Sequence, residues 1–107
     1  MTQIFVLFNL KDGVTPEAYE AWAKATDLPT VRGLKSVASF NVYRASGLLG
    51  TDDPSPYAYI ETIDVNDMEQ FGADVSSQTM QKVAAEFQEV ADNPCFILTG
   101  DIEEVAS

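Results

Sequence analysis

The order of predicted elements, strand–helix–strand–strand–helix–strand, predicts an α+β protein with a ferredoxin-like plan. In that plan a four-stranded antiparallel sheet carries both helices on one face. Three observations support the prediction: runs of β-branched and aromatic residues, two amphipathic stretches that begin at helix caps, and turns rich in Gly and Pro between them. The pattern extends over all 107 residues, a length that suits one domain.

The predicted strands are the apolar runs, and each is bounded by turn-forming residues. The Asp12-Gly13 pair closes the first, a long loop at residues 47–56 follows the second, and the Asn93-Pro94 pair precedes the fourth. The four strands cover residues 4–8, 36–46, 57–65 and 95–99, with a possible extension of the last to residue 104.

The predicted helices are marked by their first residues. Thr15 followed by Pro16 is a typical helix start, and apolar residues at intervals of three and four carry the helix to about residue 26. An irregular link with room for one helical turn follows between Pro29 and Gly33. A short helix is expected at residues 68–71 and a longer one at residues 77–91, and residues 106–107 form a tail.

Strand alternation divides the sheet residues into two rows. The row expected to face the helices is apolar: Ile4, Val6, Phe8, Leu10, Ala38, Phe40, Val42, Ala58, Ile60, Phe96, Leu98 and Ile102. The opposite row mixes aromatic and polar residues: Phe5, Leu7, Asn9, Ser39, Asn41, Tyr43, Tyr57, Tyr59, Glu61, Ile97, Thr99 and Asp101. The second row is too aromatic for a solvated face and too polar for a sealed core, which indicates a homodimer interface, a ligand cavity, or both.

Composition excludes several classes of function. The chain has no His and a single Cys, so neither a zinc-type ligand set nor a Ser-His or Cys-His couple can form, and we expect no metal and no cofactor. A net charge of −11 disfavours nucleic acids and anionic membranes as partners. The longest apolar run, residues 4–8, is too short to span a membrane, and no secretory signal is recognisable. We therefore expect a cytoplasmic protein in which Cys95 is a small buried residue.

Several segments resemble a known family. They are "QIFVLFNLKDG" at residues 3–13, "TDLPTVRGLKSVASFNVYRASGLL" at residues 26–49, "PYAYIE" at residues 56–61 and "FQEVADNP" at residues 87–94. Together they resemble the RedY-like family, which includes the HapK proteins of prodiginine pigment gene clusters, within the dimeric α+β barrel superfamily. The segments are distinctive of the family, but they contain no catalytic signature.

The resemblance implies a homodimer in which two sheets pair face to face into a barrel. It also implies an enzyme of aromatic secondary metabolism, a cofactor-independent cyclase or isomerase acting on a pyrrole- or indole-derived molecule. The alternatives are a non-catalytic ligand-binding or stress-response protein and a cofactor-independent monooxygenase, because the fold hosts all of these. Haem degradation is disfavoured, since such enzymes generally use a His ligand and this chain has none.

Glu61 is the first candidate catalytic residue, because an ionised carboxylate is costly in the middle of an apolar strand. Burial would raise its pKa and suit it to proton transfer on a phenol or pyrrole N–H. Alternatively, Glu61 pairs with Arg44, Arg32 or Lys11, or faces water. If Ser46 and Pro56 close the hairpin symmetrically, Asn41 faces Glu61 and Tyr43 faces Tyr59. Asn41 and Tyr59 are then catalytic candidates with Glu61, and Tyr43 contacts the substrate.

Four more residues are candidate substrate contacts, and three of them have an ordinary structural alternative. Trp22 offers an aromatic wall or a core anchor. Asn9 can donate to a carbonyl or simply end a strand. Arg44 can hold an anionic group or neutralise nearby acids. Thr99 belongs to the mixed row of the last strand.

Overall fold

The protein is described by a computed structural model that covers residues 2–105. The elements are β1 (Thr2–Leu10), α1 (Pro16–Trp22), a π-helical turn (Ala23–Asp27), α2 (Leu28–Arg32), β2 (Val37–Arg44), β3 (Tyr59–Val65), α3 (Met68–Val75), α4 (Gln78–Val90), β4 (Ala91–Gly100) and α5 (Ile102–Val105). The predicted tail at residues 106–107 lies outside the described residues.

The strands form one four-stranded antiparallel sheet in the order β2-β3-β1-β4. This arrangement confirms the predicted α+β, ferredoxin-like class. β1 and β3 are the central strands, and α1 and α4 pack against the same face through Tyr19 and Phe87, whose rings both meet that of Phe8. The predicted caps are also present, since Thr15 accepts from the amide of Ala18 and Ser77 from that of Met80.

The first helical region is longer than predicted. It passes from α1 through the π-helical turn into α2 and ends at Gly33, so the irregular link expected after residue 26 is a helical segment. Pro29 explains the wide turn, because it has no N–H to donate to Ala25 and its ring crowds that carbonyl. Leu28 instead bonds back to the carbonyl of Ala23, five residues earlier.

The predicted faces of β3 are inverted. Tyr59, Glu61, Ile63 and Val65 are buried on the helix side, whereas Ile60 is not on that face; Ala58, just before the strand, packs against the core as predicted. The hairpin closes one residue away from the symmetrical register, because the amide of Ala45 donates to the carbonyl of Ala58. Since side chains alternate, this slip of one residue moves the whole strand to the other face.

The ends of the outer strands also differ from the prediction. β4 begins at Ala91, not Cys95, and a bulge near Asn93, at φ 50°, restores its pairing with β1. Its extension to residue 104 is wrong, because Ile102–Val105 is helical and Ile102 is exposed. In β2 a shift of register after Val37 leaves Ala38 exposed instead of packed under the helices.

None of the helices within residues 2–105 combines the length and the apolar character needed to cross a membrane. The cytoplasmic location stays a prediction.

Candidate functional site

A cavity of about 380 Å³ lies between the sheet and the helices. Its walls are almost entirely apolar. They are formed by Ile4, Val31, Phe40, Ile63, Met68, Phe71, Val75, Met80, Val83, Ala84, Phe87, Phe96 and Leu98, together with Asp27, Glu61 and Gln88. The volume falls within the range of small-molecule sites, and an apolar lining with a few converging polar groups is typical of them.

Glu61 lies in the middle of the sheet, between Val42 on β2 and Val6 on β1. It is buried, and its carboxylate accepts a hydrogen bond of 3.4 Å from the hydroxyl of Tyr19. Desolvation raises the pKa of Glu61 strongly, and the negative charge of Asp27 raises it further. The alternatives of a pairing with Arg or Lys or of exposure to water are therefore wrong for the described residues.

Asp27 is the second carboxyl group of the cavity and was missed from the sequence. It ends the π-helical turn, is buried, and shares a hydrogen bond with Glu61. Burial raises its pKa as well. In the structure Tyr19, Ala23, Asp27 and Val31 are buried at intervals of four residues, a series that the apolar pattern of the sequence does not mark because Asp27 is polar. A regular α-helix would rotate that series away from the sheet, and the wider π turn keeps it there.

Burial raises the pKa of both carboxyl groups, that of Glu61 more than that of Asp27, so near neutral pH the pair favours a state with one proton, held by Glu61. Like charges in contact inside a low-dielectric cavity disfavour double ionisation, and one proton converts the repulsion into a hydrogen bond. Tyr19 remains a neutral donor, because burial and then the charge of Glu61 raise its pKa. The site can thus present an acid and a base side by side.

A smaller cavity of about 260 Å³ holds the candidate residues Tyr59 and Arg44. Here Glu20 accepts a 2.7 Å hydrogen bond from the Tyr59 hydroxyl and forms a 2.9 Å ion pair with Arg44. The Tyr59 bond, and then that from Arg44, lower the pKa of Glu20. Burial, and then the bond to Glu20, raise the pKa of Tyr59 to about 12. Tyr19 borders this cavity and reaches Glu61 with its hydroxyl.

Three candidates lie on the opposite face of the sheet, away from Glu61. Asn41 pairs with Thr62, not with Glu61, and accepts from Arg32 at 3.3 Å. Tyr43 is half exposed and lies beside Ile60, so its predicted pairing with Tyr59 is also wrong. Thr99 donates to the carbonyl of Gln3 at 2.7 Å. The predicted constellation of Glu61 with Asn41 depended on the symmetrical hairpin and is not formed.

The two remaining candidates have structural partners. Asn9 donates to the carbonyl of Pro56 at 3.0 Å and accepts from the amide of Ala58 at 2.9 Å, and so fastens the start of β3 to β1. Trp22 donates to Glu86 at 2.8 Å, and its ring stacks on Phe87. It joins α1 to α4 behind the residues that line the larger cavity.

No cluster of potential metal ligands is found among residues 2–105. The larger cavity instead offers carboxyl groups and aromatic walls. These features define a ferredoxin-like α+β protein with a small-molecule cavity between sheet and helices, and with a buried pair of carboxyl groups as its polar centre. Residues 2–102 match the family described as "REDY-like protein HapK", and the chain belongs to that family.

Solved structures share the fold. HapK from Hahella chejuensis is 29% identical, with 94% of this chain and 92% of that chain covered and a TM-score of 0.75. A dimeric ferredoxin-like protein of unknown function from Thermobifida fusca is 17% identical over 94% and 90% of the two chains, with a TM-score of 0.69. SnoaB from Streptomyces nogalater, a cofactor-independent oxygenase, is 10% identical over 94% and 91%, with a TM-score of 0.72. Among curated proteins none matches the chain.

Proposed function

We propose that the protein is a cofactor-independent enzyme of the cyclase or isomerase type, acting by proton transfer on an aromatic, pyrrole- or indole-derived secondary metabolite. The observation that carries the proposal is the buried pair Asp27 and Glu61 in a cavity with apolar walls. Membership of the HapK family supports the class of substrate.

The pair acts as a base and an acid in one step. Ionised Asp27 takes a proton from an acidic C–H or N–H of the substrate, and protonated Glu61 gives its proton to the oxygen or ring carbon where negative charge develops. The substrate leaves as its tautomer with the same number of protons. The carboxyl pair also keeps one proton, which is now on the other carboxyl group. Raised pKa values suit this exchange, because a base and an acid work best near the ambient pH.

The apolar walls support the same step because a ligand that fills the cavity displaces water from around Asp27 and Glu61, which are buried. A planar ligand of two or three fused or linked rings fits a cavity of about 380 Å³. In such surroundings a charge that forms on the substrate is stabilised by the carboxyl pair and by Tyr19 more strongly than in water.

Exchange of hydrogen for deuterium tests this proposal without knowledge of the natural substrate. Oxindole, a planar indole-derived carbon acid, is incubated with the protein in D₂O, and loss of the C3–H signal is followed by NMR. We expect catalysed exchange that falls at least about 100-fold in Glu61→Gln and in Asp27→Asn.

Glu89→Gln, an exposed change on α4, is the matched control and leaves the exchange rate unchanged. Exchange in Glu61→Gln at the wild-type rate would remove Glu61 from the mechanism. Absence of exchange in the wild type would contradict proton transfer on this class of molecule.

Two other functions remain testable in the same cavity. A non-catalytic binding protein, of pathway or stress-response kind, is favoured by the nearly unbroken apolar lining, and it would bind oxindole with thermal stabilisation but without exchange. A cofactor-independent monooxygenase shares its fold with SnoaB, and it would consume oxygen with an anthrone as the substrate.

The outer face of the sheet supports a homodimer formed by sheet-to-sheet packing. Its central rows place Tyr43, Ile60, Leu7 and Cys95 side by side, next to Phe5 and Ile97. Cys95 is exposed in the protomer, contrary to the buried position expected, and lies on this face. A second copy would cover an apolar surface that a monomer leaves in water.

Leu7→Lys tests the dimer, because it places a charge at the centre of the outer face. We expect its mass by light scattering to fall from that of two chains to that of one, while Cys95 becomes reactive toward a thiol reagent. Leu49→Lys, at a fully exposed loop position, is the control and keeps the wild-type mass. A monomeric wild type would contradict the proposed packing.

A further inference from the structure

The carboxyl groups of Asp27 and Glu61 converge in the larger cavity and accept few hydrogen bonds from the described residues. Asp27 and Glu61 are each only 5% exposed. The hydroxyl of Tyr19 is already donated to Glu61. Within residues 2–105, no N–H or O–H group other than the shared carboxyl proton reaches the side chain of Asp27. Each carboxyl oxygen can accept more than one hydrogen bond, so both groups can accept further donors from an occupant of the cavity.

The charges around the cavity favour the same kind of occupant. Among the described residues, its lining contains two acids and no Lys or Arg. Arg44 and Lys24 border the smaller cavity, where Arg44 is held by Glu20, while Lys11 and Arg32 donate to the backbone carbonyls of Gln88 and Phe40. The larger cavity therefore has no internal counter-ion for its carboxyl groups, and the net charge of −11 draws cations toward the protein as a whole.

We infer that the larger cavity takes an aromatic ligand that presents N–H donors on one edge and is bound as a cation, of the amidinium or protonated-imine class. Two N–H groups on one edge can donate to the two carboxyl groups, and the cation supplies the positive charge that the described lining does not contain. Phe87 and Phe96, whose rings lie 6.4 Å apart, offer aromatic surface to the ring system of the same ligand.

This inference rests on the proposed function only in that both use the same cavity. It specifies the charge and the donor pattern of the ligand, which proton transfer alone leaves open. A carboxylate ligand of equal size would meet two acids and no cation, and a neutral amide would supply donors without charge. The expected affinity therefore falls from the cationic ligand to the neutral amide and then to the carboxylate.

Isothermal titration with 2-naphthamidine, 2-naphthamide and 2-naphthoate tests the inference, because the three probes match in size and differ in charge and donors. For the wild type we expect the amidine to bind about 10-fold or more tighter than the amide, and the carboxylate to bind weakest. In Asp27→Asn and in Glu61→Gln, the affinity for the amidine should fall toward the affinity for the amide. Circular dichroism verifies that the variants are folded.

Glu20→Gln is the control for a carboxyl group of the other cavity, and it should leave the order unchanged. Equal binding of the three probes, tightest binding of the naphthoate, absence of binding, or loss of the amidine preference in Glu20→Gln would each overturn the inference. The proposed function fails separately: if the wild type catalyses no deuterium exchange while the amidine preference stands, proton transfer is wrong and the ligand class is right.

Discussion

Two glutamates lie beside a pair of neighbouring tyrosines, and their pKa values are shifted in opposite directions. Glu61 contacts Tyr19 in the larger cavity, away from any described cation, and its pKa is raised because it is desolvated. Glu20 accepts from Tyr59 at the border of the smaller cavity and is paired with Arg44, and its pKa is lowered. Residue type and aromatic neighbours are shared, so solvation and the presence of a cation decide which carboxylate can take up a proton near neutral pH.

The largest expected effect is that of Glu61→Gln on the pH dependence of the free energy of unfolding. The pKa of Glu61 is higher in the folded protein than its unfolded value, about 4.3. The contribution of Glu61 to the free energy of unfolding is therefore fully present below the unfolded pKa and is lost as the pH rises through the folded pKa. We expect the free energy of unfolding of the wild type to fall on the order of 2–4 kcal/mol more between pH 5 and pH 9 than that of Glu61→Gln. Urea denaturation at a series of pH values measures this.

Asp27→Asn is the matched variant, and it should flatten the same profile because it removes the second charge of the pair. The ionisable groups that face the pair are these two carboxyls and Tyr19, which stays protonated in this range. Parallel profiles for the wild type and both variants would show that the pair does not bind its proton more tightly in the folded state.

A smaller effect is expected from Tyr19→Phe, which removes the only hydroxyl donor described for Glu61. Ionised Glu61 then loses a hydrogen bond, so its pKa should rise further and its titration should move to higher pH. The stability lost near neutral pH should be about 1 kcal/mol, since the bond is long at 3.4 Å. The ¹³C chemical shift of the labelled Glu61 carboxyl follows the titration, and a shift toward lower pH would contradict the assigned role of Tyr19. Tyr59→Phe, which removes the hydroxyl at Glu20, should not change the pH at which Glu61 titrates.

The fold was predictable because its signals are local and repeated. The caps at Thr15 and Ser77 and the element order along the chain are sequence features, and they are present as expected. The candidate site was predictable only in part. Glu61 stood out as an acid in an apolar strand, but its face depended on a hairpin register that was set by Ala45 and Ala58 across a long loop.

Asp27 shows a different limit. A regular helical period of 3.6 residues ends the apolar stripe near residue 26, and an acid beside Pro29 resembles a polar helix end. Only the π-helical turn, which exists because Pro29 cannot donate to Ala25, carries Asp27 onto the buried face. The partner of Glu61 therefore depended on a backbone irregularity that binary patterning does not encode.

The smallest expected effect is that of Glu20→Gln, and its sign is opposite to that of Glu61→Gln. Because the folded pKa of Glu20 is lowered, its contribution is present above the ordinary carboxyl range and is lost as the pH falls through the folded pKa. Glu20→Gln should therefore be less stable than the wild type at neutral pH and equal to it in acid, as measured by the same urea series. The loss should be small, because the ion pair with Arg44 is exposed and screened by salt. A gain in stability at neutral pH would mean that the cation does not compensate Glu20, and the contrast between the two glutamates would then reduce to burial alone.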